Sequence, residues 1–277
     1  MVMTAACGGG GSSVHSAGGS SVTTAAPSTA AVADPATPTE VPLPAGTDST
    51  ATSAASTGPS SEESAPGSPA AAPSRLIDRV DTAGATKVVT VVSDSWTSAR
   101  AELALWERGA DGSWEQAGGP WTAGVGRAGW AHEPGEGTLR SPIGSFGFGT
   151  GFGLRPDPGY AGGWFDITDT DYWVEDPASP DYNTRQQGPA DPALAPWGRF
   201  EHLADYTVAY RYAALINFNV PARGPIGSGI FLHQWTGDGS TAGCVSLPED
   251  ELLTTLRWID PGSTRIVMGP ESELGKL

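Results

Sequence analysis

All 10 Trp, 6 Tyr and 7 Phe of this 277-residue chain, and all 15 of its Lys and Arg residues, lie after position 73. That partition limits the fold more than any motif does. A segment without large apolar side chains cannot bury enough surface to offset the entropy lost on ordering. Residues 1–73 are 58 parts Gly, Ala, Ser, Thr or Pro, with five acids (Asp34, Glu40, Asp48, Glu62, Glu63) and no base. A disordered linker is therefore expected over 1–73 and one folded domain over 74–277, with the boundary near Ala72–Ser74. The latter 204 residues suffice for a well-buried core.

Charge and cysteine count narrow the function. A formal net charge of -16 argues against nucleic-acid binding, which needs basic patches. Two cysteines exclude a multi-disulfide scaffold and a four-cysteine zinc site. No run of 18 apolar residues is present to span a membrane.

The chain opens Met1-Val2-Met3-Thr4-Ala5-Ala6-Cys7, followed by four glycines. Small residues before a Cys and a polar tract after it resemble a bacterial lipoprotein cleavage site, although Thr4 stands where Leu is usual. The basic and apolar regions that should precede such a site are missing, so the true start is expected upstream, inside a signal peptide. On this reading Cys7 carries a lipid anchor, residues 8–73 form a tether, and the domain is extracytoplasmic, at the cell wall or the outer face of the membrane. An incidental cysteine in a tail is the alternative.

The folded part reads as mainly β. Strands are expected over Lys87–Val92, Ala101–Trp106, Ser145–Phe148, Thr207–Tyr212, Ala214–Val220, Ile230–His233 and Thr264–Met268, with a turn at Ala110-Asp111-Gly112. Gly and Pro punctuate the gaps. One helix stands out. Leu252, Leu253, Leu256 and Ile259 repeat at helical spacing, Pro261-Gly262 ends the run, and Ser246-Leu247-Pro248-Glu249 fits a capping box with Ser246 as N-cap. Strands and helices do not alternate as a parallel α/β sheet requires.

The chemistry concentrates between Gly229 and Pro248. His233 ends an apolar strand, and the Gly- and Ser-containing loop Gln234–Ser240 leads to Thr241-Ala242-Gly243-Cys244-Val245-Ser246-Leu247. The loop can fold back to bring Cys244 to the imidazole. A cysteine nucleophile needs such a neighbour, because the thiolate is the reactive form. Gly243 leaves room for a substrate carbonyl, and the amides of Gly243 and Cys244 are candidate oxyanion donors. An inert buried cysteine and a satisfied strand-end histidine are the plain alternative; the 11-residue spacing across the loop weighs for the pair.

Ile230-Phe231-Leu232-His233 followed by Thr241-Ala242-Gly243-Cys244-Val245-Ser246-Leu247 resembles the signature of L,D-transpeptidases with the YkuD-type catalytic domain. The likeness extends through Arg140-Ser141-Pro142-Ile143-Gly144-Ser145-Phe146, Trp173-Val174, Asp176-Pro177, Tyr182-Asn183, Arg257–Gly262 and Ile266–Gly269. It covers roughly residues 85–270.

The resemblance implies a β-sandwich-like catalytic domain with few helices. It implies Cys244 as nucleophile, His233 as general base and Gly243 at the oxyanion, with Thr241, Ser246, Tyr182 and Trp173 near the substrate. The partners it implies are peptidoglycan stem peptides as donor and acceptor, with 3→3 crosslinking or attachment of another amine through a Cys acyl-enzyme. Water as acceptor would make the enzyme an L,D-carboxypeptidase. No cofactor or metal is implied, and carbapenem β-lactams are the expected inhibitors. The chain departs from many family members at Ala242, where His or Lys is common, and at Ser246, where Arg or Asn is common. No Asp is placed to orient His233, so a backbone carbonyl, that of Gln234, is expected to do so.

Other residues have plainer readings. Tyr160, Trp164, Tyr172, Trp173 and Tyr182 lie in a long Gly/Pro/Asp-rich stretch that reads equally as a lid or as packing. Its acids (Asp157, Asp166, Asp169, Asp171, Glu175, Asp176) could attract a substrate amine, but read first as a solvated face. His132 and His202 lack partners at metal spacing. Gly147–Gly153 lacks the context of a dinucleotide site and reads as a turn or a close backbone approach. Competing functions are a wall-binding lipoprotein that kept the fold without activity, and a papain- or NlpC-like peptidase. In the peptidases the Cys precedes the His, the reverse of the order here.

Overall fold

A computed structural model describes residues 75–276. The Cys7 motif and the linker expected over 1–73 lie outside the described residues.

The chain enters the sheet with β1 (Lys87–Ser93), whose Val88, Val89 and Val91 are fully buried. β2 (Arg100–Arg108) pairs antiparallel with β1, and Leu103 and Leu105 alternate into the same core. A turn at Ala110–Gly112 leads to β3 (Trp114–Gly124), with Gly112 at a φ of 85° that a side chain would resist. Two short strands, β4 (Trp130–Ala131) and β5 (Ser141–Pro142), pair with each other.

Next come β6 (Gly144–Gly153) and β7 (Trp164–Asp166), and then a separate antiparallel sheet ordered β10-β8-β9 from β8 (Asp171–Val174), β9 (Arg185–Gln187) and β10 (Phe200–His202). β11 (Ala213–Ile216), β12 (Phe231–Gln234) and β13 (Val245–Leu247) precede helix α1 (Glu249–Trp258). β14 (Thr264–Pro270) and a short helix α2 (Glu271–Leu274) follow.

The main sheet runs β11-β12-β13-β3-β2-β1-β14-β6-β7, and β11 also pairs with β6, so the sheet closes on itself. The expected mainly β fold is present. Its principal core lies inside this closure, where Val89, Leu103, Leu232, Val245, Leu247, Ile266 and Leu256 meet. A second apolar cluster lies on the outer face of β12, under the β8–β10 sheet, and includes Phe152, Trp173, Tyr210, Phe231 and Cys244.

Several expected boundaries differ. Thr207–Tyr212 is turn and 3-10 helix (Ala209–Arg211), because tertiary packing buries Tyr210 and its hydroxyl donates to Glu201. The strand expected to reach Val220 ends at Ile216. Asn219 takes a φ of 53° and its Nδ2 donates to the carbonyls of Gly224 and Gly227, which turns the chain. The Gly147–Gly153 run is strand, not turn. A Cβ on Gly151 would fall 2.7 Å from the rings of Trp164 and Tyr160, so its glycines do serve a close approach.

Candidate active site

β12 and β13 run parallel with Leu232 beside Val245 and His233 beside Ser246. Side chains alternate along a strand, so Leu232, Val245 and Leu247 enter the main core while Phe231 and Cys244 join the outer cluster. His233 stands two residues along from Phe231 and therefore on the face that carries Cys244. The Phe231 amide donates to the Cys244 Sγ at 3.2 Å, and the sulfur lies 3.3 Å from the Gly229 carbonyl oxygen, an acceptor for the thiol proton.

The orienting group of His233 is the one expected. Its Nδ1 lies 2.8 Å from the Gln234 carbonyl oxygen. A carbonyl can only accept, so Nδ1 carries the proton and Nε2 is the basic nitrogen of the neutral ring. The edge of Tyr210 packs against the imidazole at 5.8 Å between centroids, and Tyr210 also meets Phe231. Both Cys244 and His233 have 0% exposure. Two surface depressions, one beside Arg79 and Glu271 and one beside Gly147 and Arg265, do not include the pair in their lining.

The connection between His233 and Cys244 is anchored at several points. Thr241 Oγ1 donates to the Cys244 carbonyl at 2.7 Å and accepts from the Gly243 amide at 3.1 Å. The Gly243 amide expected at an oxyanion is thus engaged by Thr241. Ser141, on β5, donates to the Gly243 carbonyl at 2.7 Å and accepts from the Gly126 amide at 2.9 Å, which fixes the chain just before the nucleophile. Ser246 is not a helix cap. It lies in β13 and its hydroxyl donates to Gly239 at 2.6 Å, while Pro248 occupies the N-cap without a side-chain bond. Strand pairing claims Ser246 before the helix can begin.

The other expected contact residues are also engaged within the protein. Trp173 packs edge-on against Phe231 and its Nε1 donates to Asn183 Oδ1 at 3.1 Å. Tyr182 donates to Glu136 and accepts from the Gly227 amide. The aromatic stretch is thus packing in this arrangement, and Trp173 sits in the apolar cluster that holds Cys244. Asn183, in the left-handed region at φ 59°, accepts from the amide of Gly229 at 3.0 Å and donates to the carbonyls of Phe218 and Asn219. It thereby fixes the residue whose carbonyl faces the sulfur. Of its role the sequence signalled only the Tyr182-Asn183 pair.

Buried carboxylates lie next to this site. Arg199 pairs with Glu175 at 3.1 Å and with Glu136 at 3.5 Å, and Glu201 accepts from Tyr210. Burial first, and then the charges of Glu201 and Glu136, raise the Glu175 carboxyl well above its ordinary range, with Arg199 opposing. Burial and Glu201 likewise raise the Tyr210 phenol, so it stays a donor. His132 Nε2 lies 3.6 Å from Glu273, and His202 bonds Asp205 through Nδ1 at 3.0 Å and the Asp169 carbonyl through Nε2 at 2.8 Å.

The family model described as YkuD, the L,D-transpeptidase catalytic domain, matches residues 96–268, more than half of the chain. The chain belongs to that family. Its YkuD domain thus spans β2 through most of β14 and includes His233 and Cys244. No curated protein matches. Solved structures similar to it include Bd1075 of Bdellovibrio bacteriovorus, with 15% identity, a TM-score of 0.36, and coverage of 71% of this chain and 55% of that one. Another is the helical cell shape determining protein Pgp2 of Campylobacter jejuni, with 16% identity, a TM-score of 0.33, and coverage of 73% and 58%. This chain spans little more than half the length of either.

Proposed function

We propose that this YkuD domain is a cysteine-dependent acyl transferase acting on peptidoglycan stem peptides. Support comes from family membership and from one observation: His233, with its Nδ1 bonded to the Gln234 carbonyl, shares a strand face with Cys244.

In the proposed reaction the reduced Cys244 gives its proton to His233 Nε2, and the sulfur attacks the carbonyl of an L-to-D peptide bond in a tetrapeptide stem. The Phe231 amide, which faces the sulfur, would hold the thiolate. Collapse of the tetrahedral intermediate breaks the C–N bond, and the imidazolium returns its proton to the departing D-amino acid. The remaining thioester then transfers to an amine of a second stem, giving a 3→3 crosslink, or to another amine. Transfer to water would be L,D-carboxypeptidation. Lipid anchoring through Cys7 and a position at the cell wall or outer membrane face belong to the same proposal, as does acylation by carbapenems.

A second reading, a wall-binding domain without activity, draws on the complete burial of Cys244. Incubating the reduced protein with tetrapeptide muropeptides and analysing the products by mass spectrometry separates these readings. Crosslinked dimers with released D-amino acid support the transferase, and trimmed monomers alone support the carboxypeptidase. Unchanged muropeptides, together with no carbapenem adduct on Cys244, would leave only the binding domain.

A further inference from the structure

Glu249 is the first residue of α1, where a carboxylate faces the positive end of the helix. It does not reach back to cap the helix. Its Oε2 accepts from Gln234 Nε2 at 2.9 Å and lies 3.6 Å from Arg211 Nη1. Both partners belong to elements that hold His233. Gln234 supplies the carbonyl on Nδ1, and Arg211 directly follows Tyr210, whose ring edge bounds the imidazole.

Gln234 is 7% exposed, and its buried Oε1 has no hydrogen-bond partner. That orphan acceptor shows what fixes the amide: turned the other way, Oε1 would face the Glu249 carboxylate, acceptor against acceptor. The carboxylate therefore selects the rotamer of Gln234 at a cost in unmet hydrogen bonding. The peptide unit that carries the Gln234 carbonyl is held on its far side by the Trp235 amide, which donates to Leu247 at 2.6 Å. With Gln234 Nε2 anchored on the near side, the carbonyl meets Nδ1 from a fixed direction.

We infer that Glu249 is a positioning residue for His233, acting through the Gln234 side chain and through Arg211 to hold the imidazole as its Nδ1–H form with Nε2 toward the sulfur. This inference rests on the acyl-transfer reading for its consequence in rate, but not for its structural content.

The test uses the reduced full-length chain labelled with 15N and the variants Glu249→Ala and Glu249→Gln. Long-range 1H–15N spectra report the imidazole tautomer, with the His233 signals identified by their loss in His233→Gln. Wild type is expected to show the Nδ1–H form alone, Glu249→Ala a mixture of tautomers, and Glu249→Gln the wild-type pattern, because an amide oxygen still accepts from Gln234. In stem-peptide turnover Glu249→Ala should lower kcat about 10-fold with KM within about twofold, and Glu249→Gln should stay within about threefold of wild type. A wild-type tautomer in Glu249→Ala, or no rescue by Glu249→Gln, overturns the inference. A wild type without turnover overturns the functional reading alone, since the spectra still decide the role of Glu249.

Discussion

Gly124 on β3 and Gly239 in the loop after His233 pack backbone to backbone: a methyl on Gly124 would fall far inside van der Waals contact distance of the Gly239 carbonyl oxygen. The same oxygen accepts from Ser246, so the loop between the two candidate catalytic residues rests on the sheet at this point. Arg100 holds it from outside, stacking on Trp235 at 5.0 Å and donating to the Asp238 carbonyl. Gly124→Ala should lift the loop and destabilise the domain by about 1–3 kcal/mol, the usual range for overpacking a tight site. Calorimetry gives the stability change, and the rate of carbapenem acylation gives the effect on the site. An unchanged melting temperature would mean that the contact yields without strain.

Removing either member of the dyad should stop acyl transfer. Cys244→Ala should give no adduct by intact mass, and His233→Gln should slow adduct formation by at least about 100-fold, the lower range for loss of a general base. Full activity in Cys244→Ala would require another nucleophile and end the proposed mechanism.

Asn183 makes four buried hydrogen bonds, to Trp173, Gly229, Phe218 and Asn219. Asn183→Ala should cost about 2–4 kcal/mol, the combined effect of several partners left unsatisfied. At about 2–4 °C per kcal/mol for a domain of this size, thermal unfolding resolves the change. Asn183→Asp keeps the acceptor toward Trp173 and Gly229 but sets a carboxylate oxygen against the carbonyls of Phe218 and Asn219, so at neutral pH it should be at least as unstable as Ala. An Asp variant close to wild type would mean that the two donated bonds contribute little.

The Glu175 carboxyl, raised by burial and by Glu201 and Glu136, sets a direction for stability against pH. The folded chain keeps this proton over a range where the unfolded chain, near its ordinary value of 4.5, has lost it. Its contribution is then fully present below that value and is lost as pH rises through the folded one. Glu175→Gln stays neutral throughout. It should therefore melt higher than wild type at about pH 8 and show no such gain at about pH 4. Thermal melts across that range check the slope, and an equal difference at both ends would refute it.

How much was legible in the sequence follows from which interactions are local. The β1, β2, β12 and β14 strands were readable because β-branched and alternating apolar residues mark a half-buried strand wherever it packs. The run from Leu252 to Ile259 marked α1 by its period alone. The cap was misread because Ser246 satisfies the local pattern equally well as a strand residue bonded to Gly239, and only pairing with β3 decides between the two. Tyr210 was misread for a similar reason: its alternating neighbours suit a strand, while the buried Glu201 draws it into a 3-10 turn.

The sequence by itself determined that a long aromatic-free segment precedes a mainly β domain, that His233 and Cys244 flank a glycine-containing loop, and that the Gln234 carbonyl follows the histidine. These are properties of composition and near neighbours. Only the tertiary structure decided that Ser141 fixes the chain at Gly243, that Asn183 holds Gly229 beside the sulfur, that Thr241 occupies the Gly243 amide, and that Glu249 reaches Gln234. Each of the contacts through Ser141, Asn183 and Glu249 joins residues at least 15 positions apart, and such partners are chosen by the closure of the sheet rather than by local preference.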